Sequence, residues 1–376
     1  MRVLFICKDN PFGIGGADFA THAYLKAFSD ICGGNIDVFM AEDITAGTDI
    51  RVANYHFVPP RSLISRFFSV VSGHLHRNVR PVLAHLNKDH SYDYCVFNNS
   101  KTSSGLLDAV KQYGIKVVTI HHNCEVEYVR DNTPNPLIRM VLLYHVRNSE
   151  RKAYYKSDYN LFLTEQDLAT FAQQYGNNPK RSFLLGAFEY KKLKGIQENT
   201  RTRKSLTFAI TGSLCTVQGV DGIKFFFESL FDRLPHDSGV IISGRAPSKE
   251  VIQLCKANKR VKLIANPVDM SEVISQADVY ICPTRLGGGL KLRVMDGLRL
   301  GLPVITHSCS ARGYDVFKGT GLLFVYDTPD EFGTSVNQVV ELFYRGELSR
   351  SVVFDAYSRE FSYEAGLNRL QDILAR

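Results

Sequence analysis

Val279-Tyr280-Ile281-Cys282, then Pro283-Thr284-Arg285-Leu286-Gly287-Gly288-Gly289, then Leu290 to Leu300, then Gly301-Leu302-Pro303-Val304-Ile305-Thr306 is the stretch that decides the fold of this chain. The first four residues are a continuous apolar run, the mark of a buried strand. The glycine triplet lets the backbone turn sharply and approach a ligand with no Cβ in the way. Leu292, Met295 and Leu298 recur at helical spacing, so 290–300 is expected to be a helix. Gly301 ends it and Pro303 prevents its continuation. Val304-Ile305-Thr306 then resumes a strand, which completes a βαβ unit. Lys291 and Arg293 fall in the first turn of the expected helix, beside its positive dipole end. Two cations there are unfavourable unless an anion is bound, and a phosphate site is the reading. The plainer account is an ordinary strand-to-helix turn with two solvated cations.

The same string resembles the donor-binding segment of GT-B glycosyltransferases close to glycosyltransferase family 4. In that family a Gly-rich loop, a basic pair, an acidic residue, a small helix and a Gly-x-Pro-Val-Ile strand follow in this order. The resemblance implies that Gly287, Gly288, Gly289, Leu290, Lys291 and Arg293 bind the donor diphosphate. It also implies that Asp296 holds the donor ribose. Gly288 stands where the family's first acidic residue belongs. The implied fold is α/β, GT-B, with two doubly wound Rossmann-like domains facing a cleft.

A chain of 376 residues exceeds what one core usually supports, so two domains are expected. With 44% hydrophobic and 22% charged residues the composition is that of a globular protein. No apolar run is long enough to span a bilayer. Met1 to Cys7 reads as a first strand and not as a signal peptide. Eight cysteines without a CxxC pair, several of them in apolar strands, point to reduced thiols and a cytoplasmic location. The net charge of +7 suits an anionic ligand or an acidic membrane surface and does not argue for nucleic acid.

Strand-like and helix-like segments alternate along the whole chain, the pattern of doubly wound sheets. The expected division is 1–188, a linker over 189–204, and 205–354, with 355–376 crossing back as a terminal helix. The resemblance makes the first domain acceptor-binding and the second nucleotide-sugar-binding. After the first strand, Gly15 and Gly16 open a helix and permit close approach of a bound group. The resemblance places that pair near the donor diphosphate. Residues 61–80 mix apolar side chains with arginines and histidines, which fits either a helix packed on its own domain or a peripheral membrane contact.

Lys116–Ile120 is a strong strand that ends in His121-His122-Asn123, at the edge where α/β sheets place ligands. The resemblance implies that one histidine contacts the transferred sugar. Thr-Ile-His spacing favours His121, His-Asn-x-Glu spacing favours His122, and the balance leans slightly to His121. Adjacent residues on a strand cannot easily point to one ion, so no metal is expected. A structural histidine bonded to backbone is the other account. Thr164 is expected to cap the helix that starts at Glu165.

In the second half, Gly212 and Ser213 follow a strand, and the resemblance makes them donor-binding. Gln218-Gly219 stands where the family commonly has Lys-Gly. Arg245, after the strand 239–243, is expected to supply part of the missing charge. No P-loop and no Asp-x-Asp at a strand end occurs. The expected activity is transfer of a sugar from a nucleotide-diphosphate sugar to a saccharide, lipid-linked or protein acceptor. The donor is a co-substrate and no cofactor is expected. Family resemblance further implies retention of configuration; the loop amides with Lys291 and Arg293 leave no metal needed, and surface-polysaccharide assembly is a contextual expectation. A non-catalytic GT-B partner protein and a nucleotide-sugar epimerase remain the alternatives.

Overall fold

The computed structural model describes residues 1–8, 10–13, 16–41, 50–59, 62, 75–193, 195–196 and 205–376. Gly15, most of 61–80 and most of the expected linker 189–204 lie outside the described residues. The chain divides into two compact units, Met1–Lys192 with Phe361–Arg376, and Leu193–Glu360.

The first unit holds β1 (Val3–Ile6), β2 (Ile36–Met40), β3 (Asn54–Phe57), β4 (Tyr94–Phe97), β5 (Lys116–His121), β6 (Tyr159–Phe162) and β7 (Ser182–Leu184). They form one parallel sheet in the order β3-β2-β1-β4-β5-β6-β7. β1 and β2 are buried over their whole length, and β5 over all but its first residue, Lys116. Their near-continuous apolar runs are what a sheet covered on both faces demands. Helix Gly16–Ile31 covers one face through Ala20, Tyr24 and Phe28, which pack with Val3, Phe5 and Val38. The last helix, Tyr363–Leu374, joins the same core through Leu370 and Ile373. It lies so close that a Cβ on Gly366 would stand 2.0 Å from Cγ of Phe188.

The second unit holds β8 (Thr207–Ser213), β9 (Gly239–Arg245), β10 (Val261–Ala265), β11 (Val279–Cys282), β12 (Val304–His307) and β13 (Leu323–Tyr326). Their order is β10-β9-β8-β11-β12-β13, again all parallel. Both sheets therefore reverse direction of strand order once, between β1 and β4 and between β8 and β11. In such sheets the crevice beyond the strand ends at the reversal is the ligand-binding place.

The helix expected over 290–300 is shorter than its periodicity indicates, running only from Arg293 to Leu298 with no side-chain cap at Leu292. Gly287 and Gly289 take positive φ values of 85° and 71°, so the backbone stays a loop until the second basic residue. Lys291 accordingly precedes the helix and does not stand in its first turn.

Candidate functional site

Two groups of side chains stand at the two reversal points. In the second unit, the turn after β8 and the loop after β11 come together. Gly212 is required by close approach, because a Cβ there would lie 2.3 Å from Cζ of Arg293. The guanidinium thus lies directly on the β8 turn, with Nη1 donating to Oγ1 of Thr284 at 3.4 Å. Gly287 is equally constrained, since its Cβ would stand 2.3 Å from Nε2 of Gln218 and 3.1 Å from Nζ of Lys291. A Cβ on Gly288 would meet nothing within 4 Å. Nζ of Lys291 donates to the carbonyl of Gly288 at 3.0 Å. Burial holds the Lys291 ammonium below its ordinary value, and nearby Arg312 and Arg293 add to this. An anion would relieve that repulsion.

Among the described residues, the amides of Gly288, Gly289 and Leu290 have no acceptor. Gly288 is exposed to water, but Gly289 is buried and Leu290 partly buried, and such amides normally find one. The loop's carbonyls, in contrast, are gripped by one segment after β12. Oγ of Ser310 donates to Thr284 O at 2.6 Å, Sγ of Cys309 to Gly287 O at 3.1 Å, and the Tyr314 hydroxyl to Lys291 O at 2.9 Å. With its carbonyls tied down on one side, the loop is held in one shape.

Asp296 is ion-paired with Arg299 at 2.9 Å on its own helix. Burial raises its carboxyl above the usual value, while Arg299 and Arg293 pull it down. Ser213 faces Arg245 across the β8–β9 register, and Arg245, the last residue of β9, is exposed. Arg285 is committed elsewhere, in a two-pronged bond to Asp221 at 3.0 Å for both Nε and Nη2. The structure therefore brings Gly212, Ser213, Gly287, Gly288, Gly289, Leu290, Lys291 and Arg293 to one edge. Gln218, Cys309, Ser310 and Tyr314 join them, though none was singled out as a site residue. The apolar spacing around 309–314 carries no ligand signature, so only the tertiary contacts show them.

In the first unit, a cavity of about 160 Å³ lies at the β1–β4 reversal, lined by Lys8, Asp18, Asn98, Asn99, His122 and Glu125, among others. Gly16, the first residue of helix Gly16–Ile31, precedes Asp18 by two positions. Nε2 of His122 lies 3.0 Å from Oδ1 of Asn98, whose Nδ2 donates to Oγ1 of Thr21 at 2.7 Å. An amide oxygen only accepts, so Nε2 carries the hydrogen and Nδ1 keeps its lone pair. Burial pushes His122 down to about 4, so it is neutral at pH 7. Glu125 accepts from Nδ2 of Asn99 at 2.7 Å and pairs with Lys101. Burial alone would raise its carboxyl, but Lys101 and Asn99 outweigh it and hold the group ionised.

His121, the histidine favoured by Thr-Ile-His spacing, does not face this cavity. It is 1% exposed, stacks on Phe162 with centroids 4.8 Å apart, and meets Phe171 edge-on at 4.6 Å. Its Nε2 lies 3.0 Å from Oδ1 of Asn160. Successive strand residues point to opposite faces, so one histidine enters the core and the next meets the cavity. Beneath the cavity, Oε1 of Glu150 accepts from the Glu125 amide at 2.8 Å and Oε2 from the Tyr175 hydroxyl at 3.0 Å. Thr164 caps its helix, accepting from the Asp167 amide at 3.0 Å.

Among the described residues one group has metal-ligating side chains close together, Asp37, His56 and His85. Its carboxylate is already held by Arg2 at 2.8 Å, by the Tyr92 hydroxyl and by Asn54 at 2.7 Å. His85 is bonded to the same Tyr92 at 2.6 Å. A bound cation would sit against the Arg2 guanidinium, so the group is accounted for as a neutralised network.

Comparison with known proteins bears on both units. Residues 205–341 match the family described as Glycosyl transferases group 1. No curated protein sequence matches the chain. Among solved structures, HepE of Anabaena in complex with UDP-glucose is 14% identical with a TM-score of 0.69, over 100% of this chain and 99% of that one. WaaG, a glycosyltransferase involved in lipopolysaccharide biosynthesis, is 18% identical with a TM-score of 0.66 over 99% of each chain. A mutant of TarM from S. aureus, solved with UDP and saccharide ligands, is 10% identical with a TM-score of 0.69 over 100% of both. Residues 205–341 within the second unit thus match the glycosyl transferases group 1 model, and the chain as a whole has the GT-B fold.

Proposed function

We propose that this protein transfers a sugar from a nucleotide-diphosphate donor to an acceptor hydroxyl. The observation that carries the reading is the juxtaposition of Lys291 and Arg293 with the unpaired amides of Gly288, Gly289 and Leu290. Fixed cations and amides at one point are what a leaving diphosphate requires. As the bond from the sugar C1 to the diphosphate oxygen breaks, negative charge grows on that oxygen, and preorganised donors stabilise it without reorganising. This supply of charge from side chains and backbone makes the transfer metal-independent. Gly212 and Ser213 would flank the diphosphate, with Arg245 exposed at the same edge. Asp296 would bind the ribose, exchanging Arg299 for two sugar hydroxyls. Among the glycines opening the first helix, Gly16 would approach the donor with Gly15.

His122, neutral and held by Asn98, would orient the hydroxyls of the transferred sugar, and the cavity around it would receive saccharide. His121 supports that strand end from the core. Retention of configuration, an acceptor in surface-polysaccharide or glycolipid assembly, and cytoplasmic location complete the proposal. HepE and TarM were each solved with UDP or UDP-glucose, so UDP is the first nucleotide to test on this chain.

The test is a thermal-shift screen of UDP, GDP, ADP, CMP and dTDP against the wild type, Lys291→Ala and Asp296→Ala. A ligand that binds only the folded state raises the midpoint. Stabilisation of the wild type by one diphosphate, lost in both variants, supports the donor site. Stabilisation by none overturns the phosphate reading of the loop after β11.

A further inference from the structure

The segment after β12 holds a cation to which the donor site described above gives no task. Ser310 and Tyr314 fasten that segment to the loop after β11, through Thr284 O at 2.6 Å and Lys291 O at 2.9 Å. Between these anchors the chain turns tightly. The Tyr314 amide donates to Ala311 O at 3.1 Å, and Gly313 takes a φ of 83°. Ala311 and Tyr314 are buried, whereas Arg312, which lies between them, is only partly so. The backbone of Arg312 is thus fixed against the loop while its side chain keeps access to solvent.

The charge of Arg312 is uncompensated. Residues 283–318 contain six cations. Three of them have carboxylates, Arg285 with Asp221, Arg299 with Asp296 and Lys318 with Asp315. Among the described residues Lys291 and Arg293 bond only to Gly288 O and Thr284 Oγ1, and Arg312 has neither an ion pair nor a hydrogen bond. Arg312 and Arg293 both depress the Lys291 ammonium, so these cations lie within one another's fields. Like charges gathered in this way call for an anion. Neither 283–293 nor 307–314 contains an acidic residue that could serve.

The diphosphate does not account for all of this charge. Each phosphate of a nucleotide-diphosphate sugar carries a single negative charge, which Lys291, Arg293 and the loop amides already match. Arg293 lies on the β8 turn, whereas β12 stands on the other side of β11 from β8. Arg312 therefore meets the loop from the flank away from that turn. The loop also leaves room, since a Cβ on Gly288 would meet nothing within 4 Å.

We propose that the transferred sugar is a hexuronate and that Arg312 binds its carboxylate. This rests on the donor reading above and narrows it to a donor with an acidic sugar. A guanidinium fork matches a carboxylate with two parallel N–H donors. A neutral hexose would leave Arg312 unpaired beside Lys291.

The experiment is calorimetric titration of the full chain with UDP, GDP and two donor pairs. The pairs are UDP-glucose with UDP-glucuronate and GDP-mannose with GDP-mannuronate, whose members differ only in a carboxylate for a hydroxymethyl group. Wild type, Arg312→Gln and Arg312→Lys are compared, with thermal midpoints to show that the variants remain folded. The wild type should bind the hexuronate of one pair about ten- to a hundredfold more tightly than its hexose. Arg312→Gln should lose that preference while binding the nucleoside diphosphate as the wild type does. Arg312→Lys should keep part of it, as a point charge without the fork. Equal binding of hexose and hexuronate by the wild type overturns the inference and leaves the donor site standing. So does a preference that Arg312→Gln retains. A loss of affinity for the nucleoside diphosphate itself in Arg312→Gln also overturns it, because the arginine would then serve the diphosphate. Failure of every nucleotide to bind the wild type overturns the donor reading and this inference together.

Discussion

The two sheets share one strand order, yet their reversal points carry opposite chemistry. At β8–β11 the side chains are cationic, with Lys291 and Arg293 set beside bare amides. At β1–β4 they are mostly amides, with a neutral histidine, a carboxylate already paired with Lys101, and the opposite charges of Lys8 and Asp18. The architecture supplies the same place twice, and the residues that reach it decide what binds. A diphosphate needs the first set. Sugar hydroxyls, which both donate and accept, suit the second.

The largest expected effect breaks the comparison at its cationic end. Charge-assisted contacts contribute about 1.5–3 kcal/mol each. Lys291→Ala with Arg293→Ala should therefore weaken nucleoside diphosphate binding by more than ~100-fold in calorimetry. Equal weakening by His122→Ala would show that the two edges are not chemically distinct.

Next comes the pair of neighbouring histidines. His121→Ala opens a cavity between Phe162 and Phe171 and should cost about 2–4 kcal/mol in denaturant unfolding, with diphosphate affinity unchanged. His122→Ala should leave unfolding nearly unaffected and reduce turnover at saturating donor. The reverse pattern would put His121 at the sugar.

The pH response should report on the first unit alone, which holds Glu150 and both histidines. Burial pushes Glu150 up to about 8, against the bond it accepts from the Glu125 amide. A carboxyl whose folded value is raised favours the folded state at low pH, and that contribution is lost as pH rises through the folded value. Both histidines lie at about 4, below their ordinary value of 6.5, so their contribution is lost in the other direction, as pH falls. The thermal midpoint should peak between these limbs. Glu150→Gln, which keeps an acceptor oxygen, should flatten the alkaline limb alone. An unchanged limb would mean that Glu150 is ionised in the folded protein.

The smallest effect sharpens the view of the loop after β11. Tyr314→Phe removes one bond, to Lys291 O, with a net contribution near 1 kcal/mol. Donor KM should rise about fivefold with kcat and the thermal midpoint close to wild type. A fall in midpoint without a KM change would make Tyr314 a packing residue only.

Much of this was legible in the chain. Continuous apolar runs announced β1, β5 and β11, because a strand covered on both faces has no polar side to show. The glycine triplet and Gly301 with Pro303 marked the loop and the helix end, since each acts through local backbone geometry. Thr164 was readable as a cap for the same reason. The helix start at Arg293 was not, because periodicity registers which residues are apolar and not where positive φ values hold the backbone open. Nor was the segment Cys309 to Tyr314, whose side chains reach loop carbonyls some two dozen residues away.

The sequence by itself determined the alternation of strands and helices, the cationic loop and the presence of a histidine at the end of β5. Those depend on properties of neighbouring residues. Only the tertiary structure decided which histidine meets the cavity, that Arg285 is spent on Asp221, and that Leu137, Met140 and Tyr144 stay in the open. Each of those turns on what another part of the chain covers, pairs or leaves bare.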